Sequence, residues 1–497
     1  MPLRGNNLKF VILLLCIDNR GKRGRKMNRR GKIIVSITGI FIVLLALVGL
    51  TYAYFLTRIR GNEEPKSISV TTGLLELEFS NGTNEVNVTN IEPISSSEVL
   101  TKGLAKNFII NKTDRSLDVY TKIKLINLNV SENLAEYDFK WALYQDTTPI
   151  STGDFGGKTT GEIVLATNQI INSTTGLEYK LYIWINETGL NQSDMMGGSL
   201  TAELDITGTD KKEKTLASLL LGENNINVTT TAPTFNYSSK DRGLFVQSGD
   251  ATKSEMGFPT YYFKGSATNT NENYNPDYVM NNYVKFGTYQ TADGENTVGN
   301  DIVWRIVRIN EDGTIRLISQ NYIASSTVWN SKGVPYYINE DGTDSEIKNV
   351  LETWYNNNLA NKSTLDTRIV TSSFCNDISG SENRINFSTV NPQFICPIGS
   401  IIAHEKIGTL TVDEIAYSGG VFDNSNSKNA TYLDNNGFWT LTLYRNTYVS
   451  AWINSMMGIL APSVTSTSAV RAVINLSPDV IVSGGDGLSA ETAYVVE

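Results

Sequence analysis

The chain has 497 residues, 40% apolar and 19% charged, with a net charge of −9, one histidine and three cysteines. That length predicts two or three domains, and the composition is that of globular rather than disordered protein. The negative balance argues against nucleic acid as a partner. The scarcity of His and Cys removes most His-based catalysis and most zinc sites, so no metal, cofactor or catalytic residue is expected.

The chain opens on a basic segment, residues 1–32. Within it "RGKRGRK" reads as a translated ribosome-binding site, and "MNRRGKIIV" from Met27 makes an ordinary signal n-region, so residues 1–26 are expected to precede the true start. "FVILLLC" suits a lipoprotein signal poorly, because Leu15 is too large for the position before Cys16. Residues 33–56, "IIVSITGIFIVLLALVGLTYAYFL", carry no charge over 24 positions. As a helix this run would be about 36 Å long, enough for a hydrocarbon core of about 30 Å. Arg29, Arg30 and Lys32 precede it, which sets the amino terminus in the cytoplasm and the bulk of the chain outside. Two readings stay open here: an uncleaved single-span anchor, or signal cleavage between Ala53 and Tyr54, with Thr51 and Ala53 as the small residues.

Residues 66–210 alternate with period two. In "LEYKLYIWIN", Tyr179, Leu181, Ile183 and Ile185 point one way, and in "SLTAELDITG", Leu200, Ala202, Leu204 and Ile206 do the same. Val119, Thr121, Ile123 and Leu125 repeat the pattern, so a β-sandwich is predicted. Trp141 and Trp184 are expected to pack in the core or on a sheet face rather than bind a ligand. "GLTYAYF" together with "NIEPI…KNFIINKTDRSLDVYTKIKL" resembles the TasA/camelysin group of Gram-positive surface and matrix proteins. The resemblance implies a jelly-roll-like ectodomain; the acidic residue usual after the Phe of that signal is absent here.

Residues 211–259 are rich in Lys, Thr, Asn and Ser around an apolar patch, and predict a linker with one short helix. Residues 260–497 predict an α+β domain. "VWRIVRINEDGTIRLIS" is a hairpin turning at Asp312–Gly313, and Arg305, Arg308 and Arg316 on it read either as an anion site or, preferably, as solvated arginines with their stems over a sheet. Thr343 with Glu346, and Thr411 with Glu414, predict capping boxes opening two helices, the second stopped by Gly419. His404 is expected in a loop or at the surface. Cys375 and Cys396 predict a structural disulfide in an extracellular setting. The acidic "NEDG" and "GGDGLSAE" segments are explained by turn chemistry rather than calcium.

"YYFKG", "VWRIVRINEDGTIRLI", "FCND", "VDEIAYSGG", "FWTLTLY" and "VRAVINLSPDV" together resemble a family of bacterial surface domains without known activity, related to the C-type-lectin-like and sulfatase-modifying-factor fold. That resemblance implies a lectin-like fold and an outside location. The calcium-lectin Glu-Pro-Asn and Trp-Asn-Asp motifs are missing. The full expectation is therefore a multidomain chain with one transmembrane helix, an all-β sandwich and an α+β lectin-like domain. It is membrane-anchored and non-enzymatic, with a glycan, a surface protein or its own copies as ligand. Secreted matrix subunit and extracellular hydrolase are the alternatives, the hydrolase being the weaker.

Overall fold

The computed structural model describes the chain from Thr57 to Val496, apart from residues 61–76, 81–83, 90, 114–116, 225, 230–241, 248–257, 266–280, 293–295, 361, 363–364, 378–391, 397–399, 421–430, 434–436, 445–449, 456–457 and 461. The apolar span at 33–56, the residues Arg29, Arg30 and Lys32, and the Ala53–Tyr54 bond all lie outside the described residues.

The first core is a sandwich of two sheets. In one, the strand Ser199–Thr209 is central: Val119–Val130 pairs along one side, Thr57–Arg60 and Glu85–Thr89 along the other, and Thr160–Ile171 extends the sheet beyond Val119–Val130. In the other, the order is Leu77–Ser80, Leu104–Lys112, Leu177–Asn186, Phe139–Gln145 and Thr148–Asp154. The period-two residues behave as the alternation requires: Leu200, Leu204 and Ile206 face Tyr179, Leu181, Ile183 and Ile185 in one apolar cluster. Val119–Val130 keeps its inward face over its full length only because the ladder slips between Leu125 and Leu128, where Asn127 takes a left-handed φ of 52°. The bulge changes phase, so Leu128 and Val130 rejoin Leu125 in the core.

The second core is built from a nine-stranded and a five-stranded sheet plus a short pair, Ser372–Asn376 with Ile401–Glu405. Asp301–Ile309 is the hub of the nine-stranded sheet, pairing with Tyr261–Lys264, Tyr283–Thr288 and Ile315–Ser319. Its hairpin to Ile315–Ser319 turns where expected, with Gly313 at φ 79°, a conformation open to Gly at little cost. Tryptophan indoles lock the layers: Trp329 Nε1 donates to Thr440 O at 2.9 Å, and Trp439 Nε1 to Thr327 O at 2.6 Å. The helix Leu216–Glu223 inserts Leu216 and Leu220 into this core, and Gly243–Gln247, within the stretch read as linker, is a strand of the large sheet.

Two expectations need correction. The α+β class gives way to a sheet-rich, multidomain fold: among the described residues there are twenty-seven strands against five α-helices. The longest described helix, Glu346–Asn358, has 13 residues, and no described helix is long and apolar enough to cross a membrane. The helical signals were real but marked only short covers laid on sheets. The capping box at Thr343 and Glu346 also does not form. Ser345 is the N-cap, its Oγ accepting from Lys348 N at 3.4 Å, while Glu346 reaches Ser331 N at 2.7 Å and Thr343 turns to Asp341. A serine one residue before the acid suits the cap better than a threonine engaged elsewhere.

Candidate functional site

The residues that meet at the site come from a row across the nine-stranded sheet. Phe245 opposes Tyr262, Tyr262 opposes Arg308, Arg308 opposes Arg316, and Arg316 opposes Asn475. Directly opposed residues of antiparallel strands share a face, so two guanidinium groups stand side by side on this one. Like charges in that position repel. The helix Val412–Tyr417 answers them with Glu414, whose Oε1 lies 2.6 Å from Arg316 Nε and 3.4 Å from Arg308 Nη2.

Glu414 can reach the row because its other oxygen is already fixed. Oε2 accepts from Thr411 N at 2.9 Å, and Thr411 Oγ1 accepts from Glu414 N at 3.3 Å, so the predicted capping box forms and aims the carboxylate at the sheet. Gly419, in a left-handed conformation, follows the helix as predicted. Aromatic rings close the remaining sides. Arg316 lies over Phe374 at 4.5 Å and Arg308 over Phe394 at 4.6 Å, and Phe394 stacks on Tyr417 at 3.9 Å. Burial and the neighbouring Arg308 bring the Arg316 guanidinium down to about 10, against the pull of Glu414. It stays charged at any physiological pH.

The solvated reading of the arginines is thus corrected: Arg305 is 0% and Arg316 2% exposed. Nor do all three converge. Arg305 points elsewhere, between Tyr283 at 3.8 Å and Tyr432 at 5.0 Å, with Nε donating to Asn282 Oδ1. The sequence showed strands whose arginines alternate with apolar residues. It did not show that segments a hundred residues away would cover them.

The row opens onto a cleft of about 800 Å³ whose opposite wall is the sandwich, through Tyr137, Lys140, Asp154 and Lys158. Thr152 N donates to Glu311 O at 3.2 Å across this junction, and Lys122 joins Glu213 and Asp479 at 3.1 and 3.6 Å. Phe258 packs with Val99, Tyr144 and Trp184, which explains why Trp184 is buried although it points away from the sandwich interior; Trp141 belongs to that interior. Both tryptophans pack in apolar clusters, as expected, and both also border the cleft.

His404 is corrected from a loop to a strand: it stacks on Tyr137 with ring centres 3.2 Å apart, and Nδ1 sits 3.2 Å from Ser373 Oγ. Burial lowers its pKa to about 4, so it is neutral at physiological pH. The turn acids bond their own backbone, Asp312 Oδ1 accepting from Thr314 N at 2.8 Å and Asp486 Oδ1 from Leu488 N at 3.0 Å. Among the described residues no cluster of three or more His, Cys, Asp or Glu side chains is arranged to hold a metal.

Cys375 and Cys396 form the predicted disulfide, with Cα atoms 5.5 Å apart, in the wall of the cleft. It ties the strand Ser372–Asn376 to the segment carrying Phe394, which is also held by Gln393 N donating to Asp413 Oδ1 at 2.9 Å and Tyr417 OH donating to Pro392 O at 3.1 Å. A link across a loop of this length constrains the unfolded chain. Replacing both cysteines by serine is expected to lower the unfolding free energy by about 2–4 kcal/mol, measured by urea denaturation, and to abolish sensitivity to reductant.

No protein-family model matches this chain, and no curated protein matches it either.

Proposed function

We propose a non-enzymatic protein of the cell exterior, whose β-rich body displays a binding cleft to ligands outside. One observation carries the reading: the arginine–glutamate group at the centre of the cleft is bound into structural contacts rather than poised for proton transfer or nucleophilic attack. Glu414 pairs with both Arg308 and Arg316, and Asp366 pairs with Lys406 at 2.8 Å. His404, the one histidine of the chain, is held neutral in an aromatic stack. The disulfide suits an oxidising compartment. The basic residues before position 33 and the resemblance of "GLTYAYF" and the sandwich pattern to TasA/camelysin proteins support the same address.

Fractionation of cells producing the full chain, with amino-terminal sequencing of the mature protein, tests this. Protease-accessible protein at the cell surface is the expected result. A mature chain beginning at Tyr54 in the medium would instead favour the matrix subunit, and protein confined to the cytosol would refute the proposal. Turnover of a polysaccharide or peptide library by the purified protein would overturn the non-enzymatic part.

A further inference from the structure

The cleft has its own chemical selectivity, written in three buried polar atoms beside the arginine row. Arg308 Nε and Asn475 Nδ2 are donors, Asn310 Oδ1 is an acceptor, and each is without a hydrogen-bond partner among the described residues. They sit close together: Asn310 Nδ2 donates to Asn475 Oδ1 at 3.1 Å, and Asn475 is the cross-strand neighbour of Arg316. Asn475 is 0% exposed, and all three residues line the cleft. Buried amide and guanidinium groups are costly to leave unpaired, and here both senses of hydrogen bond are on offer within one small area.

Charge decides what could meet them. An anionic group would approach Arg308 only alongside Glu414, Asp413 and Asp312 of the same wall. An ammonium would meet Arg308 and Arg316 instead. A hydroxyl group has no such conflict, because it donates and accepts at once and carries no charge. Several hydroxyls in sequence would match the donor–donor–acceptor set. The wall adds more groups of the same kind in Thr314, Thr411, Gln393 and Ser477. The volume, about 800 Å³, falls within the roughly 300–1,000 Å³ of ordinary small-molecule sites.

We propose that the cleft binds a neutral polyhydroxylated ligand, a short saccharide, held against Arg308, Asn310 and Asn475. This rests on the binding reading above and narrows its ligand. The site needs no calcium, since its contacts are amide, guanidinium and hydroxyl groups. The segment bearing Phe394, fixed by the Cys375–Cys396 link, forms one wall.

Calorimetric titration of the full chain tests the proposal with three neutral tetrasaccharides (cellotetraose, maltotetraose and chitotetraose) beside an oligogalacturonate and a chitosan oligomer as charged counterparts. Saturable binding of at least one neutral tetrasaccharide is expected, with the charged oligomers weaker. Asn475→Ala and Asn310→Ala should each weaken it by about tenfold, the loss of one well-made hydrogen bond. Asn310 is only half-buried, so its variant keeps the test valid if Asn475→Ala unfolds. Three results would overturn the inference: no neutral sugar binding, with only water meeting these atoms; preference for a charged oligomer; or binding unchanged in Asn310→Ala. Failure of every sugar with the chain still at the surface removes this inference alone. A cytosolic chain removes the display reading even if sugar binds.

Discussion

Glu414→Gln is expected to destabilise the protein by about 3–5 kcal/mol, the cost of leaving buried charge uncompensated. Glu414 is 3% and Arg316 2% exposed, and Arg308 directly opposes Arg316 across the ladder. Removing the carboxylate charge leaves two adjacent guanidinium groups under a helix and an aromatic ring, Arg316 with almost no solvent to screen it. Glutamine keeps an oxygen able to accept from Thr411 N, so the loss reports charge rather than the cap. Thr411→Ala serves as the control, expected to cost about 1 kcal/mol through the cap alone. The measurement is the urea midpoint and slope of each variant. If Glu414→Gln shifts the midpoint no further than Thr411→Ala, the triad is not what holds this face together. A companion variant in which Arg308, Arg316 and Glu414 all become Met or Leu is expected to recover much of the loss, because apolar groups of similar volume avoid the desolvation that the ions suffer.

The same triad shows where reading the chain succeeds and where it fails. The cap at Thr411 and Glu414 was legible because it is local, four residues long and chemically distinctive. The use of the second Glu414 oxygen was not, since it depends on strands a hundred residues earlier. The inward set Leu200, Leu204 and Ile206 was legible because one face of a strand needs only its own alternation. Trp184 and Arg316 lie on faces whose covers, Phe258 and the Val412–Tyr417 helix, come from elsewhere in the chain. Period-two patterning reports which residues share a face and is silent on whether a distant segment lands there. The fold class failed for a related reason. Caps reveal that a helix starts, not how far it runs, and the helices that begin here end within 13 residues or fewer. Within the candidate site, Arg308 and Arg316 were singled out from sequence, whereas Asn310, Asn475 and Phe394 carried no signal. Asparagine is abundant throughout the chain, and only the register across the sheet sets Asn475 apart.

Acid pH should reveal two opposed titrations near the cleft. His404 has its pKa lowered by burial to about 4 from 6.5, so the folded state favours the neutral ring. Its contribution is complete above about pH 6.5 and is lost as pH falls towards 4. Asp312, desolvated and facing Glu311 and Asp154, has its pKa raised to about 6 from 3.8. The folded state favours its protonated form, so its contribution is complete below about pH 3.8 and is lost as pH rises through 6. Between about pH 4 and 6.5 the two slopes oppose, and the wild-type profile is expected to be flatter there than either group alone would make it. His404→Phe keeps the stack on Tyr137 while removing the titration, and should gain about 1–2 kcal/mol relative to wild type on moving from pH 7 to pH 4.5. Asp312→Asn keeps the acceptor for Thr314 and should lose a comparable amount relative to wild type over the same change, having gained it at pH 7. Both figures are set below the full shift because each side chain keeps some solvent contact. Urea midpoints at the two pH values, taken as differences from wild type, cancel the carboxylates common to all three proteins. Differences that do not change with pH would show that neither group is linked to folding, and a change of the opposite sign in either variant would reverse the assignment of its buried form.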